Sequence, residues 1–135
     1  MAKKRRKKLE RTRLRAKCIE LAKTVAKTRD GYTCQRCGKD SSQRQIHGSH
    51  VHPVTEGSML AVDPMNIKAL CARCHFWWHE HPIDAADWFN ERFSDRREYL
   101  DTWRIAYRAM GTIPIQWWRD RKEELTRELE EMENG

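Results

Sequence analysis

Ile46-His47-Gly48-Ser49-His50-Val51-His52-Pro53 and, further along, Cys71-Ala72-Arg73-Cys74-His75-Phe76-Trp77-Trp78-His79 carry most of the reactive side chains of this chain, with Asn66 between them. His75 and His79 are four residues apart, so a helix puts both imidazoles on one face, within reach of one ion. The second stretch opens on a Cys-x-x-Cys pair, and a matching pair, Cys34-Gln35-Arg36-Cys37, precedes the first. Two such pairs are spaced to close one tetrahedral zinc site, whereas the cysteines within a pair are badly placed to bridge each other. The rival reading is two disulfides in a secreted protein. The adjoining histidines oppose it, as does a basic start with no hydrophobic segment after it. The expectation is one structural Zn²⁺ on Cys34, Cys37, Cys71 and Cys74, in a reducing, intracellular setting. Cys18, the fifth cysteine, falls on an apolar helical stripe and reads as a small buried side chain.

Working outward, Gly38 follows the first cysteine pair and permits the tight turn that brings backbone amides towards thiolates. Ile46 to Val54 reads as a strand ended by Pro53. Thr55-Glu56-Gly57-Ser58 and Asp63-Pro64 supply turns, Ile67 to Leu70 a second strand, and Ala72 to Glu80 a helix stopped by Pro82. Upstream, Leu14, Cys18, Leu21 and Val25 mark an amphipathic helix. Downstream, Ile83, Ala86, Phe89 and Phe93 step at helical spacing, as do Tyr99, Trp103 and Tyr107. Met110-Gly111-Thr112 closes that run, and Pro114 starts a last helix. The expected organisation is a disordered basic arm over 1–10, a helix over 11–30, a zinc-stapled finger over 31–82 and helices over 83–135. The fold class is α+β, mainly helical.

The chain has 135 residues, 39% of them apolar and 35% charged, so its core is small and benefits from a metal staple. Net charge is +7 and the pI is near 9.4, which favours a polyanionic partner, DNA above all. Residues 1–17 hold ten Lys or Arg against Glu10 alone, and Lys3, Lys4, Arg5, Arg6, Lys7 and Lys8, with Arg73, are the candidate phosphate contacts. Residues 120–133 hold seven acids against three bases, an acidic helix suited to homodimerisation or to a partner protein. No apolar run approaches a membrane span. The six tryptophans sit at helical spacing and read mainly as core rather than as base-stacking platforms.

His50, Asn66 and His75 follow one another at intervals of sixteen and nine residues, with a cysteine pair leading into the last. Those intervals resemble the HNH endonucleases, a nuclease family built on a ββα-metal finger. The resemblance implies a treble-clef-like arrangement of knuckle, two strands and helix, with His50 as general base. It further implies that Asn66 fixes the loop between the strands and that His75 and His79 hold a catalytic divalent ion, Mg²⁺ or Mn²⁺ first and Ni²⁺ or Zn²⁺ as alternatives. One departure stands out. The residue before the base is typically Asp, Glu or His in the family and is Ser49 here, a weak ligand; His47, two residues back, is the alternative. The Ser-His step and the aromatic pair before His79 are also similar to phage recombination nucleases of the NinG type. The function implied is a metal-dependent DNA endonuclease, nicking or cutting both strands, of phage or prophage origin, cytoplasmic in a bacterial or infected host cell, with a phage protein as a candidate partner for the acidic helix. The alternatives are a structure-selective nuclease of recombination intermediates and a non-catalytic zinc-finger DNA binder. The second of these gives His50, His75 and His79 no purpose.

Overall fold

A computed structural model describes residues 2–135. The elements run α1 (Ala2–Arg29), β1 (Ile46–His50), α2 (Ser58–Ala61), β2 (Ile67–Cys71), α3 (Ala72–Glu80), α4 (Pro82–Arg92), α5 (Ser94–Ala109) and α6 (Ile115–Asn134), with single 3-10 turns at Val54–Glu56 and Pro64–Asn66. The fold is mostly helical around one two-stranded antiparallel sheet, which is α+β.

The register pairs Ile46 with Cys71, Gly48 with Ala69 and His50 with Ile67. The sheet ends where α3 begins, so β2 delivers Cys71 directly to the helix N-terminus, and its sulfur accepts from the Cys74 amide at 3.4 Å. β2 is buried along its whole length, as expected of a strand covered on both faces. α1 lies against the sheet at Gly48. A Cβ built there would sit 2.8 Å from the Lys23 Cβ and Cγ, so only glycine admits this approach.

The core has three connected parts. Cys18, Leu21, Ala22, Val25 and Ala26 of α1 meet Trp118 and Leu125 of α6 over Val62 and Ile67. Leu70 packs among Cys34, Cys71 and Cys74, with Ile46, Trp78 and Trp88 at the margin. Leu60, Phe89 and Leu100 form the third part, under α4 and α5. Cys18 is buried with its thiol on the Trp118 carbonyl.

Three arginines from three helices converge on the backbone of residues 62–67. Arg29 donates to the carbonyls of Pro64 (2.8 Å) and Ile67 (2.6 Å). Arg96 donates to Met65 (2.9 Å) and Ile67 (2.8 Å), and Arg121 to Val62 (2.9 Å). Asp63 caps the turn through the Met65 amide and accepts from the hydroxyls of Tyr99 (2.7 Å) and Tyr107 (3.0 Å). The helices thus hold the segment that carries Asn66.

Two expectations differ from what is observed. Residues 2–10, expected as a disordered arm, continue α1 without a break. Lys and Arg are good helix formers, and the run has no Gly or Pro to interrupt it. β1 stops at His50 rather than Val54, because Asn66 takes over the backbone of the next residues. The expected bounds of α3 and the expected start of α6 fall within a residue of those observed.

Candidate active site and metal centre

The knuckle forms because Gly38, at φ +81°, closes the turn with its amide on the Cys34 carbonyl (2.9 Å), while the Cys34 amide bonds the Lys39 carbonyl (2.8 Å). Thr33 and Asp40 pair across its base. The sulfurs of Cys34, Cys37, Cys71 and Cys74 all lie within 4.8 Å of one another, and Cys37 Sγ is 3.8 Å from Cys71 Sγ. Tetrahedral zinc with Zn–S bonds of about 2.3 Å sets sulfurs roughly 3.8 Å apart, so the set fits that ion.

The surroundings act on the thiols in opposite directions. Burial opposes ionisation of Cys34, yet amide hydrogen bonds outweigh it and bring the thiol down to about 7. Burial and its sulfur neighbours push Cys74 up to about 12, against the hydrogen bond from Arg36 (3.5 Å). That guanidinium also stacks on Trp77, 3.6 Å from the ring centre. Arg36 therefore faces the sulfur cluster as a fixed cation, a role its place between the two cysteines did not announce. Crowded thiols of this kind ionise together only when a cation compensates them.

His50 ends β1 and is half-buried. Its Nε2 lies 2.8 Å from the Ala61 carbonyl. A carbonyl can only accept, so Nε2 carries the hydrogen and Nδ1 is the basic nitrogen of the neutral ring. Burial, opposed by that hydrogen bond and assisted by Lys23, Lys68 and Arg15, lowers its pKa below the usual 6.5. The ring is thus a neutral base at physiological pH.

Asn66 is fully buried. Its Oδ1 accepts from the His52 amide (2.9 Å), and its Nδ2 donates to the carbonyls of His52 and Leu60 (both 3.1 Å). One carboxamide therefore ties the residue two beyond His50 to the residue before Ala61, the same Ala61 that fixes the His50 ring. His52 turns away to Glu56 (2.9 Å), and His81 is exposed at the α3–α4 junction.

His50, His75 and His79 line one cleft of about 350 Å³, with Lys23, Gly48, Val51, Pro53, Val54 and Trp78. Its lining contains no carboxylate. His75 is the hub: its Nδ1 is 2.9 Å from His47 Nδ1, and its Nε2 is 3.1 Å from His79 Nε2. The three imidazoles are clustered through opposite edges of the central ring. Among the described residues, only the four cysteines have ligand atoms that all converge. Burial, then the neighbouring His79 and His47, lowers the His75 pKa to about 4, so the ring is neutral and one of its two nitrogens carries a lone pair.

Ser49 does not join this cluster. It is 1% exposed, and its Oγ accepts from Lys68 Nζ at 2.8 Å. Lys68, on β2, is entirely buried. Its ammonium also bonds the carbonyls of Ser49 (3.3 Å) and His50 (3.2 Å) and sits 3.3 Å from the centre of the Trp78 ring. A hydroxyl already committed to an ammonium is a poor site for a second cation. Lys68, Lys23 and Arg15 were not singled out in the sequence. A lysine inside the apolar run Ile67-Lys68-Ala69-Leu70 was the one available signal. Lys3, Lys4, Arg5, Arg6, Lys7 and Lys8 are all exposed on α1, and Arg73 is exposed on α3.

The family model described as HNH endonuclease matches residues 34–77, about a third of the chain. The match takes in the four cysteines, His47, Ser49, His50, Asn66 and His75; His79 lies two residues past its end. No curated protein and no solved structure matches the chain.

Proposed function

We propose that this chain is a metal-dependent HNH endonuclease that hydrolyses phosphodiester bonds of DNA, with His50 as its general base. The observation that carries the reading is the 2.8 Å contact between His50 Nε2 and the Ala61 carbonyl, which selects the tautomer. Its Nε2 is occupied by Ala61, its Nδ1 is basic, and it shares one cleft with His75 and His79. A water beside Nδ1 loses its proton to the ring as it attacks phosphorus, and Nε2–H on the Ala61 carbonyl steadies the imidazolium that results. Asn66 keeps that carbonyl in place by fixing Leu60 and His52. Lys23 and Arg15, both close enough to His50 to lower its pKa, hold the phosphates of the substrate nearby.

His75 and His79, whose Nε2 atoms face each other at 3.1 Å, are the residues that would hold the catalytic ion, with His47 on the opposite edge of His75 to orient its ring. A divalent ion bound there would polarise the phosphoryl group and stabilise the departing 3′ oxygen. Neither candidate from the first strand adds a third ligand there, because His47 meets the far nitrogen of His75 and Ser49 is bound to Lys68. Imidazole donors without a carboxylate favour Ni²⁺ or Zn²⁺ over Mg²⁺, with Mn²⁺ between, an order different from the one the sequence suggested. The structural Zn²⁺ belongs to the four cysteines, which are chemically separate from this site.

The test is conversion of supercoiled plasmid to nicked or linear DNA with each ion supplied in turn and with EDTA as control. Cleavage that needs an added ion and is lost with His75→Ala or His79→Ala supports the reading. Binding of DNA without cleavage under any ion would replace it with a zinc-stapled DNA binder.

A further inference from the structure

Beside the cleft that holds His50, His75 and His79 lies a second cavity of about 340 Å³, and the two share a wall of Val51, Pro53, Trp78 and His79. α4 contributes Pro82, Ala86 and Asn90 to it, at four-residue spacing and so from one helix face. Arg97 of α5 and His52, just past the end of β1, complete the lining. A largely apolar wall with a few polar groups is the composition of a ligand pocket, and the volume is near the lower limit of roughly 300 Å³ for such sites.

The polar groups of this cavity keep bonding capacity that the fold does not use. Among the described residues nothing bonds the Asn90 carboxamide, which is partly exposed. Arg97 spends its Nε on the two oxygens of Asp101 (3.0 Å each), which leaves its terminal nitrogens without a partner among the described residues. His52 sets Nδ1 2.9 Å from Glu56, and its Nε2 is buried and unmatched. Burial outweighs Glu56 and lowers the His52 pKa, so the ring is neutral; with Nδ1–H towards the carboxylate, Nε2 is a lone pair. The cavity thus combines that lone pair, a carboxamide that donates and accepts, and a fork of N–H donors beside the Trp78 indole. A planar heterocycle edged with both donors and acceptors matches the set. Because the cavity adjoins the cleft through Trp78 and His79, the heterocycle belongs to the chain whose phosphate lies in the cleft. A base inside a duplex turns its edges to its partner and its faces to its neighbours, so only an unpaired or extruded base enters.

We propose that this second cavity takes one unpaired nucleobase from the nucleotide next to the scissile phosphate, held by Asn90 and Arg97 beside Trp78. The preferred substrate is then DNA with an unpaired nucleotide at the cut. This inference rests on the nuclease reading for the identity of the cleft. It divides the work of the chain: the finger cuts, while α4 and α5 set which DNA is cut. Stacking of one base on an aromatic side chain is worth roughly 5- to 150-fold in affinity, enough to focus cutting.

Two duplexes test this directly, one with a single unpaired adenine and one with an abasic residue in its place. Wild-type cuts should gather at the phosphate beside the unpaired adenine and not beside the abasic residue. Cuts gathered equally beside both, or beside neither, would overturn the proposal. Binding keeps the two claims apart. The full-length His50→Ala protein should bind the adenine duplex roughly 5- to 150-fold more tightly than the abasic one. Adding Asn90→Ala and Arg97→Ala to that protein should bring the ratio towards one. Ala86→Trp, which fills the cavity from the exposed face of α4, should do the same and serves where the double replacement fails to fold. Equal affinity for the two duplexes, or a ratio unmoved by a folded variant, contradicts the base site whether or not the wild type cuts. Preference for the adenine duplex without any cutting contradicts the nuclease reading alone.

Discussion

At the scale of single residues, the consequential pair is His50 and Lys68. Because the His50 pKa lies below the usual 6.5, its basic form persists as pH falls through that value. The acid limb of the pH–rate profile should therefore lie below pH 6.5. A limb at or above 6.5 would mean that another group limits the reaction. Lys68 has a pKa well below the ordinary 10.5, caused first by burial and then by Arg96. The unfolded chain thus binds a proton that the folded chain holds less tightly. Stability should rise with pH between the folded value and 10.5, and Lys68→Met should flatten that rise. Thermal melts of both proteins across the alkaline range provide the check, and parallel profiles would refute the assignment. Ser49→Asp introduces the residue type typical of HNH endonucleases at this step, but the structure sets its carboxylate beside the Lys68 ammonium. The expected result is an internal ion pair with no gain in metal affinity, measured by metal titration of cleavage. Neither residue's role was legible in sequence, where Ser49 was a candidate ligand and Lys68 one lysine among many.

At the scale of elements, Gly48 is the point on which α1 and the sheet agree. Gly48→Ala forces backbone or the Lys23 stem to move and should cost about 1–3 kcal/mol in denaturant unfolding. Because Lys23 and His50 both line the cleft, the same variant should also lower cleavage; full stability and full activity would show the contact to be slack. The strands and helices were largely legible because their punctuation is explicit. Pro82 opens α4, Asp63-Pro64 makes the turn before Asn66, and the cysteine pairs frame knuckle and helix. The arginine clamp on residues 62–67 was not legible. Arg29, Arg96 and Arg121 come from three helices far apart in sequence, and no local pattern marks a side chain that will find a distant carbonyl. The start of α1 was read as an arm because charge density argued for disorder, whereas propensity and continuity with the amphipathic stripe favour helix.

At the scale of the whole molecule, a small chain builds two separate clusters, four thiols and three imidazoles, that both draw on α3. The cysteine set was legible almost completely, since Cys-x-x-Cys spacing encodes its own geometry. Of the histidine set, the order His50, Asn66, His75 was legible, but the reach of His47 to His75 was only one of two alternatives until the rings were placed. Separation of the clusters has a consequence for metal removal. A mild chelator that strips the histidine cluster should abolish cleavage while leaving the fold intact. Loss of the cysteine-bound ion, or Cys71→Ser, should unfold the knuckle and sheet. The central claim is that His50 is the base and the neighbouring histidines serve only to hold the ion, and parallel plasmid cleavage by His50→Ala and His75→Ala tests it most directly. His50→Ala should lose about two to four orders of magnitude in rate at every Mn²⁺ concentration with DNA binding retained, while His75→Ala should recover in part as Mn²⁺ is raised. Recovery of His50→Ala by excess Mn²⁺, or cleavage by it at the wild-type rate, would contradict the account.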